Sequence, residues 1–576
     1  MKRETIIIIG GLSAGPSAAA KARRTNEHSR IILFERSNFL SYATCGIPYA
    51  LSGKVKSREE LMVVSAKLLR DRFKIEVHLN EEIIDIDSKA QEIITQKGDK
   101  FPYDKLIFAT GTNANTPPIK GIETSQNWSH CKTIENFDKI IADKVLENSQ
   151  NVVVIGAGLI GIEVTENLVK AGKNVTVIEL SGQVLPIWES KFGRMAKSVL
   201  EEHGVIVKTN VFVVEFLKNT REILLNNGEK INCDYLIVSV GVKPNTDLLL
   251  AEGAEHLKNG ALVVNEKMET SIPNIYAAGD CASIKNQITG KQDYFPMGTH
   301  SNKGGRTAGT NAAGGNNSYK GGYATGIVKV FDYTLGRTGL NAKSLKENGI
   351  PFKSNFFIAK STPGFYPNAK DIFIEIYHDP DSKEIIGAEI FGESGVDKRI
   401  DVLSTCIYAK LKIDDLPNLD LAYAPPYSPA KDPVIVAGYI ADNANSTHFE
   451  EWNACELDSF LKATKEDYQL VDVREPSELQ KFGQIPQAKN IPLDQLRENI
   501  ELLDVDKTTI VYCQRGLRGY LAALILASNH FSSIKNLGGG YLAWKKIIRK
   551  SENSLEKKLN NNLTVRLNGK LESSEV

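Results

Sequence analysis

The pattern of apolar and polar positions opens with a repeated unit. Thr5 to Ile9 is apolar, Gly10 to Gly15 is small, Pro16 to Arg24 is Ala-rich, and Ile31 to Phe34 is apolar again. This order predicts strand, tight turn, helix and strand, a βαβ unit. It recurs from Asn151 to Glu179, with strand Val152 to Ile155, turn Gly156 to Gly161, an amphipathic helix through Leu168, and strand Val175 to Ile178. Two such units imply two dinucleotide sites or a duplicated ancestor. Between Gly326 and about Tyr439 the pattern turns to short β-rich runs followed by a helix near Asp397 to Lys410, read as a separate α+β module. Residues 441–452 are polar and lack periodicity, as in a linker. Beyond them Gln469 to Val473, Ile510 to Cys513 and a helix after Gly516 predict a small α/β domain, and 552–576 read as a flexible tail.

The two turns carry the first candidate chemistry. Gly10, Gly11, Ser13, Ala14 and Gly15 leave a strand and open a helix, so backbone N–H groups can face a pyrophosphate, and Glu35 ends the next strand where a carboxylate meets ribose hydroxyls. Leu12 stands where the dinucleotide fingerprint has its second glycine. The second turn, with Gly156, Gly158, Ile160 and Gly161, matches the fingerprint in full, with Glu179 at the acid position. Glu179 suits a free 2′-hydroxyl and Leu180 offers no cation for a 2′-phosphate, so NADH is expected ahead of NADPH.

Composition narrows the partners. Over 576 residues, 70 Lys plus Arg balance 70 Asp plus Glu, which removes the usual support for nucleic acid or an anionic membrane surface. No apolar run reaches the roughly 18 residues of a membrane span, and a cytoplasmic protein is expected. Seven cysteines, few and odd in number, point to a reducing compartment and working thiols rather than to a disulfide scaffold. Cys131, Cys233, Cys281, Cys406 and Cys455 have no charged or Gly-rich setting and read as buried or idle thiols. Cys45, in Ser41-Tyr42-Ala43-Thr44-Cys45-Gly46, precedes a glycine and a helix start that suit an exposed, nucleophilic sulfur, and no second cysteine follows it. No metal is expected.

Read with Ala109-Thr110-Gly111, Gly241-Val242-Lys243-Pro244-Asn245 and the run Thr270 to Asp280, the turns resemble the two-dinucleotide-fold flavin disulfide reductases over about residues 1 to 440. The resemblance implies FAD held by the first turn, Glu35, Arg36, Thr110, Gly111 and Asp280, and a nicotinamide cofactor at the second turn with Gly241. The text around Cys45 resembles the single-Cys branch of coenzyme A disulfide reductases, NADH oxidases and NADH peroxidases. Coenzyme A contacts are then expected from Arg23, Arg24, Ser41 and Arg72, with Arg70 beside it. The segments around Tyr366 and Tyr423 resemble those that carry active-site tyrosines donated across a homodimer; here Phe365 replaces the first member of the usual tyrosine pair.

The blocks Val471 to Glu475, Gly483 to Pro492 and Val511 to Arg518 resemble a rhodanese domain, with Cys513 as the sulfur carrier and Arg515 and Arg518 as charges for an anionic donor. The implied organisation is α/β: an FAD-binding domain (1–115 and 246–325), an NAD-binding domain (116–245), an α+β dimerisation domain (326–440), the linker, and a rhodanese domain (453–551). The implied activity is NAD(P)H-dependent reduction of coenzyme A disulfide, coenzyme A persulfide or polysulfide. The alternatives left open are an NADH oxidase or peroxidase working through Cys45 sulfenic acid, and a non-catalytic sulfur-relay or redox-sensing protein.

Overall fold

The structure is a computed structural model and describes residues 4–217, 220–445, 449–464 and 467–549. It contains two compact units, residues 1–184 with 203–324, and residues 185–202 with 325–576. The tail 552–576 lies outside the described residues.

The first unit holds two parallel sheets built on one plan. In the first the order is Ile275–Ala277, Lys105–Phe108, Thr5–Ile9, Arg30–Glu35, Glu76–Leu79. Ile6 to Ile8 are fully buried, as expected of a central strand covered on both faces. In the second the order is Ile206–Thr209, Asn174–Glu179, Asn151–Ile155, Tyr235–Val238, Trp128–His130. Each sheet is accompanied in the chain by a three-stranded antiparallel sheet, Ile83–Asp87 with Glu92–Thr95 and Lys100–Pro102, and Val213–Leu217 with Glu222–Leu225 and Lys230–Asn232. The turns between strand and helix therefore fall at the carboxyl ends of central strands, where α/β sheets bind ligands.

The second unit contains a five-stranded antiparallel sheet in the order Gly326–Val330, Tyr333–Gly339, Ile385–Gly392, Asp371–His378, Lys353–Lys360, with helix Val396–Tyr408 packed on it. A parallel sheet follows, Glu450–Trp452, Ile534–Leu537, Thr508–Tyr512, Tyr468–Asp472, Lys489–Asn490.

Two expectations change. The segment Leu185–Glu202, expected inside the NAD-binding stretch, belongs to the second unit. Its helix Ser190–Glu202 buries Phe192, Met195, Ala196 and Val199, and Lys191 pairs with Glu375 at 2.6 Å where both are almost wholly out of water. Hydrophobic burial, which sequence order cannot show, assigns it. The expected linker also has structure: helix Pro433–Asn445 runs into it and strand Glu450–Trp452 closes it. Val434, Ala437 and Ala441 anchor that helix by burial, while its polar last turn gave the stretch a linker's composition. Among the described residues no helix is long and apolar enough to cross a membrane.

Candidate functional site: a glycine-turn cavity, an exposed cysteine and a cysteine loop

The first turn frames a cavity of about 680 Å³, within the range of ligand sites. Gly10, Gly11, Leu12, Ser13, Ala14, Glu35, Arg36, Thr110, Gly111 and Asp280 line it. Gly10 has φ +106°, and a Cβ there would run into the Ala109 carbonyl. Gly15 packs beneath, against the Gly10 carbonyl, so helix and strand meet closely. Glu35 Oε2 accepts from the Gly11 N–H at 2.7 Å and Oε1 from the Ser37 N–H at 2.8 Å, which fixes the acid at the turn with lone pairs left for a ligand. Asp280 Oδ1 accepts from Ser301 Oγ at 2.9 Å. Lys132, missed by motif reading, also lines the cavity; burial lowers its pKa, and Asp280 partly offsets this. A glycine turn at a helix start, an acid at one end and a second acid and a lysine elsewhere on the wall fit a dinucleotide such as FAD.

The second turn repeats this construction. Gly156 has φ +96° against the Ser239 carbonyl, and Gly161 packs on Gly156. Glu179 accepts from the Ala157 N–H at 2.7 Å and the Ser181 N–H at 2.8 Å. A Cβ on Gly158 would meet nothing, Ile160 is exposed, and Gly241, at φ +89°, accepts through its carbonyl from Asn115 N–H at 3.0 Å.

Cys45 is exposed on the short 3₁₀ turn Thr44–Gly46, and its neighbour Thr44 forms part of the cavity wall. Four residues on, Tyr49 OH donates to Glu163 Oε1 at 3.2 Å. Glu163 sits on helix Leu159–Lys170, which starts at the second turn, and burial raises its carboxyl to about pKa 7 against the Tyr49 hydrogen bond, with Glu166 adding to the rise. Burial, then the Glu163 charge, keeps the Tyr49 phenol neutral well beyond its ordinary range, and Cys45 acts in the same direction. Tyr49 and Glu163 thus form a proton store reached from the short helix Ile47–Leu51 that follows the Cys45 turn. Neither residue belonged to a motif; only helix packing reveals them.

The expected coenzyme A contacts divide. Arg23 is buried, its guanidinium donating to the carbonyls of Phe73, Lys74, Glu27 and Ser29, so it ties the chain together and has no face for a phosphate. A basic pattern alone cannot tell such an arginine from a free one. Arg24 and Arg72 are exposed, as is Arg70, while Ser41 is buried at φ +46°, with its carbonyl accepting from Val63 N–H at 2.7 Å. Tyr366 and Tyr423 lie in the second unit, the former half-buried in the loop between strands Lys353–Lys360 and Asp371–His378, the latter exposed. Buried Arg399 holds the roots of both loops, donating to the Ser361 carbonyl at 3.1 Å and to Asp432 at 2.9 Å.

Cys513 follows strand Thr508–Tyr512 and starts a loop that closes on helix Leu517–Ser528. Its Sγ, nearly buried, accepts from the Gly516 N–H at 3.1 Å, and Gly516 holds φ +117°. Arg474, fully buried, binds Asp472 at 2.6 Å and donates to Gln514 Oε1 at 2.8 Å, bracing the loop from below. Arg518 donates to both Glu478 oxygens, at 2.6 and 2.7 Å, and interacts with Cys513 as well, while Arg515 lies 3.0 Å from Asp371.

The chain matches the pyridine nucleotide-disulphide oxidoreductase model over residues 4–301, the dimerisation domain of that family over 325–433, and the rhodanese-like domain over 456–547. It is 31% identical over 442 residues to an NAD(P)H sulfur oxidoreductase (CoA-dependent) of Pyrococcus abyssi, covering 75% of this chain and 97% of that protein. The crystal structure of reduced Bacillus anthracis CoADR-RHD superimposes with TM-score 0.90 and 35% identity over 96% of this chain and 99% of that one. A NAD-dependent persulfide reductase from A. fulgidus gives TM-score 0.87 and 34% identity over 94% and 100%. With the duplicated turns, the lone Cys45 and the Cys513 loop all carried on one chain, this protein belongs to the pyridine nucleotide-disulphide oxidoreductase family and adds to it a rhodanese-like domain.

Proposed function

We propose that the protein is a homodimeric reductase of coenzyme A disulfide, coenzyme A persulfide or polysulfide, working with FAD and NADH, to which the rhodanese domain supplies sulfane sulfur. The observation that carries this reading is the exposed Cys45 directly after a residue of the glycine-turn cavity wall. FAD held by Gly10 to Gly15, Glu35 and Asp280 would relay two electrons from a nicotinamide seated at Gly156 to Gly161 and Glu179.

The Cys45 thiolate attacks one sulfur of the substrate; the substrate S–S bond breaks, a Cys45 mixed disulfide forms, and the other sulfur leaves as thiolate. A phenol beside that sulfur protonates it, and Tyr423 or Tyr366 from the partner subunit is assigned this role. Two electrons and one proton then return Cys45 to thiolate and release a thiol, or hydrosulfide where a persulfide was bound. Tyr49 and Glu163 hold a proton at this end of the site. At the rhodanese loop, the Cys513 thiolate takes the outer sulfur of a thiosulfate-like donor. Sulfite leaves, Cys513 holds a persulfide, and the thiol of coenzyme A removes that sulfur by the same exchange. The exposed Arg24 and Arg72 are assigned to the phosphates of coenzyme A.

NADH consumption with coenzyme A persulfide is the test. Turnover that vanishes in Cys45→Ser supports the reading; turnover unaffected by that change, or faster with oxygen or peroxide than with any sulfur substrate, refutes it.

A further inference from the structure

Arg515 belongs by sequence to the rhodanese loop, yet its ion-pair partner is on another domain. Lys360 ends one strand and Asp371 opens the next, directly paired across the ladder, so the loop carrying Phe365 and Tyr366 springs from the neck between them. Ser361 N–H closes that neck by donating to the Lys370 carbonyl at 2.8 Å, and Arg399 holds it from the side of helix Val396–Tyr408. Asp371 Oδ1, itself shielded from water, lies 3.0 Å from Lys360 Nζ and 3.0 Å from Arg515. The Arg515 side chain is 45% exposed and Asp371 25%, so the contact acts through its place at the neck rather than through the strength of a buried ion pair.

The loop that supplies Arg515 is seated firmly enough to transmit force. The Cys513 carbonyl accepts from Tyr541 N–H at 2.8 Å and the Gln514 carbonyl from Leu542 N–H at 3.1 Å. In the turn before them, a Cβ on Gly539 would run into the Phe356 ring and one on Gly538 would come tightly against the Phe356 carbonyl. Phe356 is on Lys353–Lys360, the edge strand of the antiparallel sheet. Hence the segment 538–542 that holds the cysteine loop also faces a strand of the hairpin whose neck Arg515 meets.

We propose that Arg515 is a positioning residue for the reductase half: through Asp371 it fixes the neck of the Tyr366 hairpin, so the rhodanese domain helps to hold a tyrosine of the disulfide-reducing site. This rests on the function proposed above, in which that hairpin serves the chemistry at Cys45.

The experiment combines hydrogen exchange of residues 361–370 in the full-length holoenzyme with steady-state reduction of coenzyme A disulfide, in wild type, Arg515→Ala, Asp371→Asn, the double variant and Arg515→Lys. The expected result is faster exchange in the hairpin, a fall in kcat of about two- to fivefold with KM near wild type, and recovery of most of both by lysine. The double variant should be no worse than Asp371→Asn alone. Wild-type exchange and kinetics in Arg515→Ala, with only thiosulfate sulfurtransfer altered, would overturn the proposal, as would additive effects in the double variant. If wild type reduces no coenzyme A disulfide, persulfide or polysulfide, the proposed function fails instead, and the hairpin exchange still decides whether Arg515 positions it.

Discussion

Cys45 and Cys513 are both single thiols at the start of a turn, but the protein surrounds them in opposite ways. Cys45 is exposed and its loop offers little of its own; Thr44 before it belongs to a cavity wall, and Tyr49, four residues after it, is bonded to Glu163. Cys513 is nearly buried and its loop is fully built, with an amide aimed at sulfur and its carbonyls, Gln514 and Arg518 all held by other groups. A sulfur that must meet a large substrate and a neighbouring cofactor needs access. One that must hold charge by itself between two encounters needs preorganised donors.

The sharpest way to break this contrast is to remove the sulfurs. Cys45→Ser should lower NADH-driven reduction of coenzyme A disulfide about a hundredfold or more, and Cys513→Ser should do the same to thiosulfate sulfurtransfer. Each is read by its own assay, and loss of both activities in either variant would merge the two sites.

Next in size is the support beneath Cys513. Arg474→Met strands Asp472 as a buried, uncompensated charge and frees Gln514, so the rhodanese domain should lose about 3–5 kcal/mol, seen as an early unfolding transition in calorimetry. Cys45 has no comparable buried brace, and the reductase transition should stay in place.

Gly516→Ala forces a left-handed φ of +117° on a residue with a Cβ, costing about 1–3 kcal/mol and turning the N–H away from Sγ. Sulfurtransfer should fall about tenfold, measured against Cys513 persulfide formation by mass spectrometry.

The smallest effect concerns the proton store. Glu163 has its pKa raised by burial from 4.5 to about 7, so between those values the folded protein holds a proton that the unfolded chain has lost. Stability therefore falls as pH rises through that window and levels off above about 7. Glu163→Gln should flatten this slope in thermal melts and remove an inflection near pH 7 from the kcat/KM profile, while the Cys513 reaction keeps its own profile. An unchanged reductase profile would separate Glu163 from Cys45.

Much of this was legible in the chain because it is local. Glycines at fixed offsets between an apolar strand and a helix leave few other conformations, so both turns and their acids could be read from spacing, while the Cys513 loop was read from blocks that resemble a rhodanese domain. What stayed hidden depends on partners distant in sequence. Arg23 reads as a free cation until Phe73 and Lys74 arrive to bind it, and nothing near Arg515 in sequence announces Asp371, which the fold brings 3.0 Å away. Tyr49 and Glu163 had no motif, since each acquires its meaning only where one helix packs on another.

The two dinucleotide turns and the solitary setting of Cys45 follow from residue order alone, because backbone sterics and short-range hydrogen bonding act over a few residues. Which arginines are already bonded, which unit owns Leu185–Glu202 and which carboxyl is shielded enough to keep a proton emerge with the fold, because burial and ion pairing depend on which distant segments share a core.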